Sequence, residues 1–137
     1  DPEAASIVFD ANGAKTMIGW NISRTYAVMA PQESARLRSC GRLGEFAVDI
    51  NSEVDRFCRG RGLVGMDLPD PVAMAVALDE SIVTESTEER LIVGLDEPTR
   101  GAALPDRRFL ADLPNLRVVW QVDEAAFKDR LYAACSD

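Results

Sequence analysis

The segment Gly65-Met66-Asp67-Leu68-Pro69-Asp70-Pro71-Val72-Ala73-Met74-Ala75 constrains this chain most, because it sets one carboxylate at the mouth of a nearly all-apolar helix. Pro71 suits the first helical position, where its missing N–H has no partner to lose. Asp70 is then expected as the N-cap, its side chain accepting from the first-turn amides. Val72, Ala73, Ala75, Val76, Ala77 and Leu78 leave that helix no polar face, so it is expected to be buried. A carboxylate in that place can start the helix, or it can present an oxygen to a metal ion or a sugar. The spacing alone favours the plain cap.

Asp1-Pro2-Glu3-Ala4-Ala5 is a second helix start, with a cap, a proline and a first-turn acid at the positive end of the helix dipole. A chain that opens on a cap lacks the residue that normally fixes the direction of entry. The helix is expected from about Pro2 to Ala11, with Ala4, Ile7, Val8 and Ala11 on one face, and Asn12-Gly13 stops it. Lys15 to Ile22 then has the short apolar pattern of a buried strand, centred on Thr16-Met17-Ile18-Gly19-Trp20. A helix followed by a buried strand is half of a βαβ unit, and the strand that should precede the helix is missing. Residues 1–137 are therefore expected to be a single segment cut from a longer protein.

In open parallel sheets ligands sit at the carboxyl ends of strands, which makes Trp20 and Asn21 candidates for a pocket. A core tryptophan and a turn asparagine explain the same residues more simply. Pro31-Gln32-Glu33 opens a short helix ending at Cys40-Gly41. Leu43 to Arg59 is expected as one longer helix, with Leu43, Phe46, Ala47, Ile50, Val54, Phe57 and Cys58 at helical spacing. Arg59-Gly60-Arg61-Gly62 forms a solvated connector without the phosphate-binding glycine spacing. Glu85, Glu88 and Glu89 suggest solvated surface. Arg90 to Leu95 and Ala102-Ala103-Leu104 are expected as a hairpin, Leu116 to Val122 as a strand. Asp123 should cap a last helix with Phe127, Leu131 and Ala134 on its buried stripe.

A net charge of −8 and a pI near 4.6 argue against non-specific binding to nucleic acid or anionic membrane. No apolar run approaches the roughly 20 residues of a membrane span. Cys40, Cys58 and Cys135 are widely spaced in a chain without histidine, which offers neither a zinc motif nor a Cys-His nucleophile. Cys58 is expected in the core, and three reduced thiols suit a cytoplasmic protein.

Taken in order, Asp1-Pro2-Glu3-Ala4-Ala5, Ile18-Gly19-Trp20-Asn21-Ile22-Ser23-Arg24, Pro31-Gln32-Glu33, Asp70-Pro71-Val72-Ala73, Thr99-Arg100-Gly101 and Asp106-Arg107 resemble the C-terminal part of the inosine-uridine-preferring nucleoside hydrolase family. The resemblance spans essentially the whole chain and lies in the order and spacing of the motifs. It implies an α/β fold: the C-terminal portion of an open, mostly parallel sheet flanked by helices, with a closing β-hairpin and a C-terminal helix. It also implies a calcium-dependent enzyme that cleaves the N-glycosidic bond of ribonucleosides to ribose and free base. In that family an Asp-x-Asp-Pro-x-x-Asp-Asp cluster near the N-terminus holds most of the Ca²⁺ and activates water. The Asp of the later Asp-Pro motif completes the shell and meets the ribose, a role that maps onto Asp70 as metal ligand and substrate contact, with Asn21 a second candidate for the substrate.

Two departures from the family pattern matter. The N-terminal acidic cluster is absent, as is the Asn that usually precedes the Asp-Pro-Glu-Ala-Ala helix, so this chain alone is expected to be inactive. Many members carry His immediately before the motif Asp, where it can protonate the departing base; here that residue is Pro69. Phe57 corresponds loosely to an aromatic near the base in some members, although helical spacing also explains it as core. A cytoplasmic homo-oligomer acting on a nucleoside is the leading expectation. A non-catalytic binding module of the same ancestry, with Asp70 only a cap, is the alternative.

Overall fold

A computed structural model describes residues 1–108 and 113–136. Its helices are α1 (Pro2–Asp10), α2 (Trp20–Tyr26), α3 (Pro31–Arg38), α4 (Arg42–Ile50), α5 (Ser52–Gly60), α6 (Pro69–Leu78) and α7 (Glu124–Ala134). Its strands are β1 (Thr16–Ile18), β2 (Val28–Met29), β3 (Met66–Asp67), β4 (Val83–Glu89), β5 (Leu91–Val93), β6 (Ala103–Pro105) and β7 (Leu116–Val122). The fold class is α/β, as the sequence led us to expect. The chain divides into two compact units, residues 1–17 with 86–119, and residues 18–85 with those from 120 onward.

In the first unit Asp1 caps α1 as expected, its carboxylate accepting the Ala4 N–H at 2.9 Å. The face of α1 that carries Ala4, Ile7, Val8 and Ala11 is exposed. The core lies instead on the strands, where Leu91, Leu116 and Val118 are buried and Phe9 and Met17 pack against them. The expected hairpin is present: β5 and β6 run antiparallel with Ile92 opposite Leu104. Within the connection of residues 94–102, Gly94 lies close against Thr99, where a Cβ would stand 2.2 Å from the Thr99 carbonyl oxygen. The Asn115 side chain serves Leu91 as a strand neighbour would, accepting its N–H and donating to its C=O, each at 2.9 Å.

The sheet order is β1–β7–β4. The acidic run 83–89 is thus a strand as well as surface, with Glu85 and Glu88 exposed on it. Charge on a strand beside only one neighbour discourages edge-to-edge pairing, so acidity and strand are compatible.

In the second unit β2 pairs antiparallel with β3, and Ile22, Ala27, Met29, Leu37, Met66, Val72 and Phe127 are buried. Four expectations need correction here. The strand expected from Lys15 to Ile22 is confined to Thr16–Ile18, and Gly19 is the N-cap of α2, which buries Ile22 and Ser23. The single helix from Leu43 to Arg59 is two, α4 and α5, parted at Asn51, whose side chain donates to the Ala47 carbonyl. Its periodic residues Leu43, Phe46, Ile50, Val54 and Phe57 are exposed, and only Cys58 is buried as expected. On α7 the buried face is turned: Phe127 is buried as read, but Lys128 and Tyr132 accompany it, while Ala134 is exposed. Arg36 stacks on the Tyr132 ring at 4.0 Å, and Lys128 finds two carboxylates, which makes those positions tolerable inside.

Candidate functional site

The start of α6 differs from the expectation in a way that bears on chemistry. The helix begins at Pro69, one residue before Asp70, and its N-cap is Leu68, which has no capping side chain. Asp70 is therefore not the N-cap but the second helical residue, exposed, and its carboxylate makes no hydrogen bond or ion pair with the described residues. It lies at the positive end of the helix dipole, where negative charge is favoured. Nor is α6 buried all round: Val72, Ala75 and Val76 face inward, whereas Met74 and Leu78 are exposed.

The backbone before α6 is fixed closely. Leu68 donates to the Ala27 carbonyl at 3.1 Å, and β3 lies in register with β2, Met66 opposite Met29 and Asp67 opposite Val28. Gly65 permits this approach, because a Cβ there would stand 1.8 Å from the Met29 carbonyl oxygen.

Asp67 is the residue that sequence reasoning missed. It is 7% exposed, and its Oδ2 accepts the Trp20 indole N–H at 2.6 Å. Arg24 Nε lies 3.8 Å from the same oxygen, and the Arg24 guanidinium stacks over the Trp20 ring at 4.2 Å. The other oxygen, Oδ1, is buried without a hydrogen-bond partner among the described residues. The available signal was an isolated acid in the apolar run Leu63-Val64-Gly65-Met66-Asp67-Leu68. Trp20, expected as core, is 63% exposed. Asn21 follows it as the second residue of α2 and is also exposed. The structure thus brings the starts of α2 and α6, which carry Asn21 and Asp70, together through Trp20 and Asp67. Phe57 is exposed under the Arg61 guanidinium at 4.7 Å, so its explanation as core falls away.

Among the described residues no group of three or more His, Cys, Asp or Glu side chains is arranged to hold a metal ion. A free exposed carboxylate fits Ca²⁺ as one hard oxygen ligand, but that ion takes six to eight. Asp70 can be part of such a shell, and the described residues do not complete it.

A second polar cluster of this unit is structural. Lys128 Nζ lies 2.5 Å from Glu33 Oε1 and 2.6 Å from Glu124 Oε1, while Glu33 Oε2 accepts the Ala30 N–H at 2.8 Å. Burial opposes the charge on Lys128, yet the hydrogen bonds to Glu124 and Glu33 outweigh it and raise its pKa. Burial likewise opposes charge on Glu33, and the bonds from Lys128 and Ala30 leave its pKa lowered.

Comparison with known proteins gives this geometry a family. The model of the inosine-uridine preferring nucleoside hydrolase matches residues 1–129. The chain is 30% identical to the pyrimidine-specific ribonucleoside hydrolase RihA of Shewanella woodyi, over 96% of its own length and 43% of that protein's. It superposes on the purine-preferring ribonucleoside hydrolase of Gardnerella vaginalis with a TM-score of 0.81 at 27% identity, covering 98% of this chain and 45% of that one. A plant nucleoside hydrolase shares the fold, with a TM-score of 0.87 at 21% identity over 99% of this chain and 45% of that one. The chain spans less than half the length of these relatives. No described helix is long and apolar enough to cross a membrane. On this evidence the chain belongs to the inosine-uridine-preferring nucleoside hydrolase family.

Proposed function

We propose that this chain forms the C-terminal part of a hydrolase that cleaves the N-glycosidic bond of ribonucleosides, and that Asp70 is its contribution to the metal and the ribose. The observation that carries this reading is the Asp70 carboxylate, which has no hydrogen-bond or ion-pair partner among the described residues. It sits at an exposed helix start, in a member of this family, and caps nothing. Asn21 is assigned to the substrate beside it, on the start of α2. When bound, Ca²⁺ would hold and polarise a water and orient sugar hydroxyls, with Asp70 as one of its oxygen ligands. Negative charge from Asp70 also favours the positive charge that develops on the sugar as the bond to the base breaks.

Pro69, the first residue of α6, has no proton to give, so protonation of the leaving base is assigned to a group elsewhere or to solvent. With one carboxylate to offer the metal, the chain by itself is expected to be inactive. A homo-oligomeric cytoplasmic enzyme belongs to the same reading, and the three free cysteines suit a reducing compartment.

The test is Asp70→Asn in the intact protein, assayed for release of base from inosine and uridine. Since Asp70 does not cap α6, the structural cost is only the charge at the dipole, about 0.3–1 kcal/mol. Activity should collapse while thermal stability barely moves. Full activity of this variant would remove Asp70 from the site, whereas an unmodified protein that releases no base would leave the binding-module reading in place of the hydrolase.

A further inference from the structure

We infer that Asp67 is a positioning residue, which latches Trp20 and thereby sets the spacing between the starts of α2 and α6; this rests on the reading of Asp70 and Asn21 given above. The backbone of Asp67 is tied to the far end of α2, through its register with Val28 and through the Leu68 N–H on the Ala27 carbonyl. Its side chain reaches back along the same helix to Trp20 and Arg24, which lie one turn apart. One residue therefore grips α2 near both ends. Asn21 directly follows the latched tryptophan, and Asp70 lies three residues after Asp67, a backbone span of at most about 11 Å.

The chemistry of the contact suits a latch. A buried carboxylate and an indole N–H form a short, charge-assisted bond of 2.6 Å, stronger than a neutral one. Arg24 balances the charge of Asp67 and covers one face of the indole, so the ring is held from two sides. A carboxylate only 7% exposed would be a poor choice for packing alone beside apolar Met66 and Leu68. Fixing the relative placement of two substrate-facing groups justifies that cost, because small displacements of such groups cost rate heavily.

The test compares Asp67→Asn, Asp67→Leu and Trp20→Phe in the intact protein. Asparagine keeps an oxygen acceptor for the indole, whereas leucine and phenylalanine each remove one half of the bond. With Trp120→Phe as background, Trp20 is the only tryptophan of residues 1–137, and its contribution is taken as the difference from the same protein carrying Trp20→Phe. Its emission should shift in Asp67→Leu and stay near that of the parent in Asp67→Asn. Asp67→Leu and Trp20→Phe should each raise KM for inosine and the calcium concentration for half-activation by about 10–100-fold. Asp67→Asn should stay within about threefold on both, and the double variant should be no worse than either single, as for groups acting through one bond.

A folded Asp67→Leu or Trp20→Phe with the parent's KM and calcium response overturns the inference and leaves the function standing. Asp67→Asn as damaged as Asp67→Leu overturns it too, since charge rather than the latch would then matter. If Asp67→Leu fails to fold, Trp20→Phe decides alone. An unmodified protein without calcium-dependent hydrolysis overturns the functional reading and this inference with it.

Discussion

Replacing Gly65 by alanine tests the clamp that places the start of α6. The new Cβ would stand 1.8 Å from the Met29 carbonyl oxygen, 2.7 Å from its carbon and 3.2 Å from the Ala30 Cα. All three are backbone atoms, so no side-chain rotation relieves the clash. Carbon and carbonyl oxygen rest at about 3.3–3.6 Å, so β3 must move off β2 by about 1.5 Å. That strains the pairing of Met66 with Met29 and of Asp67 with Val28, together with the Leu68 bond to Ala27. Two backbone hydrogen bonds at ~1 kcal/mol each and ~1–2 kcal/mol of packing at Met29 and Met66 make a loss of ~3–4 kcal/mol. Alanine returns ~0.4–1 kcal/mol by restricting the unfolded chain.

The net loss is therefore about 3 kcal/mol. With a urea m-value near 2 kcal/mol/M, the midpoint should fall by about 1.5 M. Equilibrium urea unfolding followed by circular dichroism at 222 nm measures it. The control is Gly60→Ala on α5, where a Cβ meets nothing within 4 Å. That variant should gain about 0.4–1 kcal/mol by the same unfolded-state term. A Gly65→Ala midpoint within about 0.25 M of the parent, about 0.5 kcal/mol at that m-value, would refute the clamp.

Two further outcomes concern charge. Asp106 is buried, and the Arg108 side chain and backbone N–H hold its pKa down at about 2. Its folded value lies below the unfolded one of about 3.9, so its stabilisation is complete above pH 4 and lost as pH falls towards 2. Asp106→Asn should therefore flatten the acid limb of a stability–pH curve in that window, and an unchanged limb would refute the assignment. Lys128→Met leaves Glu33 and Glu124 without their shared cation and should cost about 1–3 kcal/mol. Glu33→Gln should cost less, because the amide oxygen can still accept the Ala30 N–H; both are read from thermal melts.

What could be read from the sequence followed local physics. Asp1 and Asp123 were recognised as caps because the bond each makes is to an amide three residues on. The β5–β6 hairpin was legible because its two apolar runs are close in sequence and flank the turn-forming residues Asp96-Glu97-Pro98-Thr99-Arg100-Gly101. Failures came where distant groups decide. Trp20 fits a strand on its own, but Asp67, distant in sequence, takes its indole N–H at the start of α2. The period of residues 43–58 is real, but periodicity shows that a face is apolar, not that something covers it. Lys128 on the buried side of α7 could not be foreseen, because one of its two carboxylates is Glu33 on α3.

The start of α6 shows why the cap and the ligand could not be told apart from the residues alone. Two prolines, Pro69 and Pro71, can each take the first helical position, and the choice decides whether Asp70 precedes the helix or lies within it. The Leu68–Ala27 bond and the β2–β3 register settle it, by bringing the chain into helix at Pro69. The first turn then has few amides to cap. Pro69 and Pro71 carry no N–H, and Val72 already donates to the Leu68 carbonyl at 3.3 Å. Only the N–H of Asp70 itself is left, so a capping side chain would gain little. The carboxylate is consequently spare. A capping acid owes its place to the amides it satisfies, and Asp70 satisfies none among the described residues, so the loss of its charge takes only the dipole term from the helix and is otherwise a test of chemistry.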